Sequence, residues 1–115
     1  MIFIIDDDKI MAECIARACN APTKIFTNAI EAMSAIDDDL PKMIFLDILL
    51  DGPDGFTFLN ELSSYNDTAA IPVVVVSSLD FENQDLSDYG VVGFLDKDTM
   101  TPQEIAKYVA KYAGN

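Results

Sequence analysis

Four groups of chemically competent residues each directly follow an apolar run: Asp6-Asp7-Asp8, Asp47, Ser77-Ser78 and Asp96-Lys97-Asp98. Their types suit one reaction. Carboxylates brought together from separate segments repel unless a cation lies between them. Oxygen-only ligation at a partly open position favours Mg²⁺, which keeps several waters and contacts substrate phosphate. A carboxylate beside such a metal is a nucleophile toward phosphorus and forms an acyl phosphate. The metal and a lysine would neutralise the oxygens of the transferred group. A serine hydroxyl could then hydrogen-bond the new phosphoryl group and re-order its own loop, which is a switch.

Plainer roles exist for each residue. Asp8 precedes a helical pattern and suits its N-cap, with Asp7 favoured near the same helix dipole. Ser77 fits an ordinary strand-end hydroxyl. Asp47 is harder to explain this way, because it follows Met43-Ile44-Phe45-Leu46 directly and ionising a carboxylate there is costly without a partner. Lys97 is one of only seven cations and stands between two acids after an apolar run.

These residues need a scaffold that gathers strand ends. Apolar runs place strands at Ile2–Ile5, Lys24–Thr27, Met43–Leu46, Val73–Val76 and Val91–Leu95. Four are continuous rather than alternating, as expected of parallel strands covered on both faces, and the more polar Lys24–Thr27 suits an edge. Helical stripes lie between them: Ile10, Met11, Cys14, Ile15 and Ala18; Ala29, Ile30, Met33 and Ile36; Phe58, Leu59 and Leu62; and Ile105, Tyr108, Val109 and Tyr112. Thr101-Pro102-Gln103-Glu104 forms a capping box with proline at the first helical position. In the polar stretch Asp80–Gly90, Phe81, Leu86 and Tyr89 fit a short helix. The pattern predicts an α/β fold, a doubly wound five-stranded parallel sheet (βα)₅, whose ligands lie beyond the carboxyl ends of its strands.

Composition narrows the function. The 115 residues suit one domain, and 50% apolar content supplies its core. A net charge of −13 argues against direct binding to nucleic acid or anionic membrane. Most of the 20 acids read as solvated surface, Asp37-Asp38-Asp39 among them. No apolar run approaches the roughly 20 residues that span a bilayer, and no secretory signal follows Met1. Cys14 and Cys19 have neither metal-site nor redox spacing, so a reducing, cytoplasmic setting is expected. With no histidine in the chain, a phosphohistidine donor must come from another protein.

Along essentially its whole length the sequence resembles the receiver domain of two-component response regulators, the CheY-like family. The resemblance is carried by Ile4-Ile5-Asp6-Asp7-Asp8, Ile44-Phe45-Leu46-Asp47-Ile48-Leu49-Leu50 with Asp54-Gly55, Ile71-Pro72-Val73-Val74-Val75-Val76-Ser77-Ser78, and Gly93-Phe94-Leu95-Asp96-Lys97. It implies strand order 2-1-3-4-5 and a phosphoacceptor signalling domain rather than an enzyme. Asp47 would be the phosphoacceptor. Asp7 and Asp47 would ligate Mg²⁺ directly, Asp6 would act mainly through metal-bound water, and the Leu49 backbone carbonyl would complete the protein ligands. Ser77 would be the hydroxyl switch residue, Lys97 the phosphoryl-binding lysine and Phe94 the aromatic switch, working by packing since it lacks a hydroxyl. The donor would be a histidine kinase or a histidine phosphotransfer protein. An output protein would use the segment 80–98 and the last helix, since residues 1–115 read as a single receiver domain with no output domain.

Two positions depart from the family pattern. Asp51 replaces a usual proline beside the pocket, with Pro53 two residues later. Asp98 replaces the proline whose bond to the lysine is usually cis. A non-proline cis bond costs about 2.5–4 kcal/mol, so a trans bond or an altered turn is expected, with Asp98 competing for the Lys97 ammonium.

Other readings fit less well. A calcium loop starting at Asp47 would have Leu49 at its third position and Phe58 at its twelfth. A dehalogenase-like phosphohydrolase wants a second Asp where Leu49 stands, and a flavin phosphate suits a carboxylate-filled pocket poorly. A receiver-like interaction module that signals without phosphorylation is the main alternative. Asp51, Asp98 and the polar fourth-helix segment favour it; retention of Asp6, Asp7, Asp47, Ser77 and Lys97 opposes it.

Overall fold

The computed structural model of the chain describes residues 1–48, 55–78 and 86–114. The sequence expectations at Leu49, Leu50, Asp51, Pro53, Asp54 and the 80–85 stretch with Phe81 lie outside those residues.

The apolar runs form the interior of one sheet. Its strands are β1 (Ile2–Ile5), β2 (Thr23–Phe26), β3 (Met43–Asp47), β4 (Val73–Ser77) and β5 (Val91–Asp96). All neighbouring pairs are parallel, in the order β2-β1-β3-β4-β5. Helices α1 (Lys9–Cys19), α2 (Ala29–Asp38), α3 (Gly55–Ser63), the single turn α4 (Asn66–Ala69) and α5 (Pro102–Tyr112) complete the described elements, with a 3₁₀ turn at Ser87–Tyr89. That turn is the helical part of the Asp80–Gly90 stretch that can be described. Leu86 beside it is buried in the core, whereas Tyr89 is exposed.

Successive side chains of a strand point to opposite faces, so a strand covered on both sides must be apolar throughout. Phe3, Ile5, Ile44, Leu46, Val73 and Val75 pack beneath α2 and α3. Ile2, Ile4, Met43, Phe45, Val74 and Val76 pack against α1 and α5 on the other face. Each buried aliphatic side chain of this kind contributes about 1.5–3 kcal/mol. The sheet is thus a rigid platform whose carboxyl ends are held in register.

Three expectations need correction. β2 lies one residue earlier than Lys24–Thr27, because pairing with the four residues of β1 runs from Ile2↔Thr23 to Ile5↔Phe26 and leaves Thr27 exposed. On α1 the buried stripe is Ala12, Ile15 and Cys19, while Ile10 is 76% exposed and Cys14 faces water. On α2 it is Ala29, Ala32 and Ile36, while Ile30 is 66% exposed. In both helices small alanines face the sheet and let the helix backbone approach closely, a stripe that large apolar residues alone do not reveal.

β3, β4 and β5 each run one residue beyond the apolar stretch, to Asp47, Ser77 and Asp96. The chemically competent residues therefore belong to the strand ends themselves or directly follow them. Gly55 closes the segment after Asp47: its N–H donates to the Ile48 carbonyl at 2.9 Å, and a Cβ there would collide with the Ile48 backbone. Glycine is required at such an approach. The predicted capping box of α5 forms in full, with Thr101 and Glu104 capping reciprocally and Pro102 in the first turn.

Candidate functional site

Strand order decides which residues meet. β1 and β4 flank β3, with Ile5↔Leu46 and Asp47↔Val76 as partners, so Asp6 and Ser77 stand on either side of Asp47. β5 pairs Asp96 with Ser77 and delivers Lys97 to the same end. Asp6 and Asp47 are 1% and 5% exposed, and Ser77 is buried as well.

The turn after β5 aims Lys97 inward. The Lys97 N–H donates to the Ser77 carbonyl at 3.1 Å, while the Thr99 and Met100 N–H groups donate to the Asp96 carbonyl at 3.2 and 2.8 Å. The Asp98 N–H donates to the Asp96 carboxylate at 2.8 Å. Lys97 Nζ then donates to Asp47 Oδ2 at 2.9 Å and to Asp6 Oδ1 at 3.2 Å. There is no cis peptide bond among the described residues. The competition expected from Asp98 does not occur, because the turn leaves that side chain exposed while Lys97 points into the site.

Asp8 takes its plainer role, its carboxylate capping α1 through the Ile10 and Met11 N–H groups. Its own N–H donates to Asp6 Oδ1 at 2.9 Å, so the start of α1 also orients Asp6. Asp6 Oδ2 lies 3.0 Å from the Lys97 ammonium yet accepts no hydrogen bond, although it is fully buried. Burial raises the Asp6 pKa, and the nearby Asp47 charge adds to this; the Asp8 N–H and Lys97 offset it only in part. Burial also works against the Lys97 charge, but its hydrogen bonds to Asp47 and Asp6 and their charges outweigh that effect and raise its pKa.

Asp6, Asp7 and Asp47 each offer one carboxylate oxygen, and these oxygens lie within 4.8 Å of one another. Three carboxylates face one ammonium, and one buried oxygen is left without a hydrogen bond. Hard oxygen donors from three carboxylates, with more negative charge than one ammonium offsets, fit a divalent cation of the Mg²⁺ kind.

The structure therefore brings Asp6, Asp7, Asp47, Ser77 and Lys97 to one end of the sheet, while the expected Leu49 carbonyl lies outside the described residues. Phe94 sits in β5 and packs partly buried on the cluster beneath α2 and α3. Its neighbour Gly93, part of the last of the sequence motifs, has a packing role that the motif alone does not show. A Cβ there would collide with the Tyr108 phenol, so α5 rests its ring directly on the β5 backbone next to Phe94. A glycine inside an otherwise apolar strand is the signal for such an approach.

The fold recurs in known proteins. Residues 2–110 match the family model for the response regulator receiver domain. The response regulator PleD of Caulobacter vibrioides is 38% identical over 66 residues, which are 57% of this chain and 13% of that protein. The chain thus corresponds to only a small part of that curated relative's length. The receiver domain of NtrX from Brucella abortus superposes with a TM-score of 0.83 at 24% identity, covering 96% of each chain. The phosphorylated cyanobacterial phytochrome response regulator RcpA does so at 0.80 and 22% identity, covering 97% of this chain and 92% of its own. Sheet order, strand-end carboxylates and a family match over nearly the whole length agree, and the chain belongs to the response regulator receiver domain family.

Proposed function

We propose that Asp47 accepts a phosphoryl group in a two-component phosphorelay and that the added charge switches a partner-binding surface. The observation that carries this reading is the Lys97 ammonium, hydrogen-bonded to Asp47 and Asp6 at the mouth of the sheet. Asp6, Asp7 and Asp47 would hold Mg²⁺, with the Leu49 carbonyl as a further ligand. When bound, the ion supplies positive charge against the oxygens of the incoming group.

In the transfer, an Asp47 carboxylate oxygen forms a bond to phosphorus as the bond from phosphorus to the donor's imidazole nitrogen breaks. The donor nitrogen leaves with the bonding electrons and is protonated. Lys97 passes from the Asp47 carboxylate to a phosphoryl oxygen, so its charge stays paired throughout. The Ser77 hydroxyl donates to another phosphoryl oxygen, which draws the end of β4 toward Asp47 and gives Phe94 on the paired strand a reason to repack. The role proposed for the domain is that of a phosphoacceptor in signalling rather than that of an enzyme. A histidine kinase or histidine phosphotransfer protein supplies the phosphoryl group in a cytoplasmic setting, and an output protein reads the surface formed by the 80–98 segment and α5.

The contact between Lys97 and Asp47 favours this reading over an interaction module that is never phosphorylated. Beryllofluoride with Mg²⁺ tests it, because it mimics the phosphoryl group on a carboxylate. The wild-type protein is expected to gain several degrees in Tm and Asp47→Asn none. Equal, negligible shifts in both would count against a competent pocket.

A further inference from the structure

Between α2 and α3 the surface opens into a groove that the phosphoacceptor chemistry does not use. Its apolar part, about 280 Å³, is lined by Ala29, Met33 and Phe58, with Ile30 on its lip. Met33 and Glu61 continue it into a cleft of about 500 Å³ at the end of α2. There Leu40 and Tyr65 stand 46% and 57% exposed inside a rim formed by Asp37, Asp38, Asp39, Glu61 and Asp67. The apolar and acidic cavities thus adjoin, sharing Met33 and Glu61.

The carboxylates stand where they oppose the chain's own helix. α2 ends in Asp37 and Asp38 with Asp39 as its C-cap, and it has no basic residue in its last turn. A helix C-terminus carries partial negative charge, so three further carboxylates repel it and one another. A cationic partner relieves that repulsion. A small cation alone would leave Ile30, Leu40 and Tyr65 in water. A second copy of this chain would set the same carboxylates against themselves, with only 7 cations against 20 acids to offset them. We infer that the α2–α3 groove docks a basic amphipathic segment of another protein. Its apolar side chains lie along Met33, Leu40 and Tyr65, and its Lys or Arg side chains pair with the acidic rim.

The full chain can be titrated with a synthetic helical peptide bearing leucines on one face and lysines and arginines on the other. Two controls carry the same charge: a scrambled peptide without an apolar face, and oligolysine. NMR shifts are expected to cluster on α2 and α3 and on the residues that follow them, Asp39, Leu40, Tyr65 and Asp67, with the amphipathic peptide binding about tenfold more tightly than either control. The exposed substitutions Tyr65→Ala and Asp38→Asn with Asp39→Asn should each weaken it at least about fivefold, with circular dichroism unchanged. Asp47→Asn should bind like wild type, which separates this groove from the phosphoacceptor reading. Equal binding of the controls, shifts centred elsewhere, or variants without effect would overturn the inference.

Discussion

Lys97 Nζ donates to Asp47 Oδ2 at 2.9 Å, across the width of β4, which lies between their two strands. The same ammonium lies 3.0 Å from Asp6 Oδ2, so one cation bridges two buried carboxylates and offsets their mutual repulsion. Removing it takes the same cationic partner from both. Breaking a fully buried pair costs about 3–5 kcal/mol, and Lys97 is 16% exposed. Lys97→Met should therefore lower stability by about 2–3 kcal/mol in urea unfolding without divalent ions. Millimolar Mg²⁺ should restore more stability to this variant than to wild type.

Asp6 should behave oppositely. Its pKa is raised, mainly by burial, so the stability it contributes is present below the ordinary value of 3.8 and is lost as pH rises through the folded value. Ionising this buried group therefore works against the metal-free fold. Asp6→Asn keeps an oxygen for the Asp8 N–H and should raise the Tm of metal-free protein by a few degrees. It should also lose most of the stabilisation by Mg²⁺, which for an intact site at a hundredfold excess over Kd is about 2.7 kcal/mol. Calorimetry at pH 7 with and without Mg²⁺ reads both effects.

Burial sets a second, alkaline limit. The Cys19 thiol is pushed up from 9.0 to about 11, and a raised folded pKa means stability present below pH 9 and lost as pH rises toward 11. The loss approaches about 1.4 kcal/mol per pH unit. Lys97 is also raised, so its contribution is lost only above its ordinary 10.5. Between pH 9 and 10.5 the slope therefore belongs to Cys19 and should flatten in Cys19→Ala, as measured by denaturant midpoints across that range.

The sequence displays the platform more fully than what rests on it. Short runs rich in valine and isoleucine, alternating with helical stripes, fit parallel strands buried on both faces, so the residues after each run reach one edge of the sheet. Helix faces are less readable: Ala12, Ala29 and Ala32 carry little hydrophobic signal yet face the sheet, while Ile10 and Ile30 carry much and face water. In the site, the carboxylates and Lys97 stand out by type and position. The inward aim of Lys97 does not, because it depends on backbone hydrogen bonds to the Ser77 and Asp96 carbonyls that any side chains could accompany. The Asp37–Asp39 run reads as solvated charge until tertiary structure sets Leu40 and Tyr65 beside it.

The central claim is that Asp47 is the phosphoacceptor, and mapping the modified residue tests it most directly. The wild-type chain, incubated with acetyl phosphate or a cognate kinase and millimolar Mg²⁺, is treated with borohydride and digested for mass spectrometry. The account predicts a single acid-labile phosphoryl group, the reduced residue at position 47, and no modification of Asp47→Asn. A phosphoryl group mapped to another residue, or wild-type protein left unmodified by both donors, would contradict it.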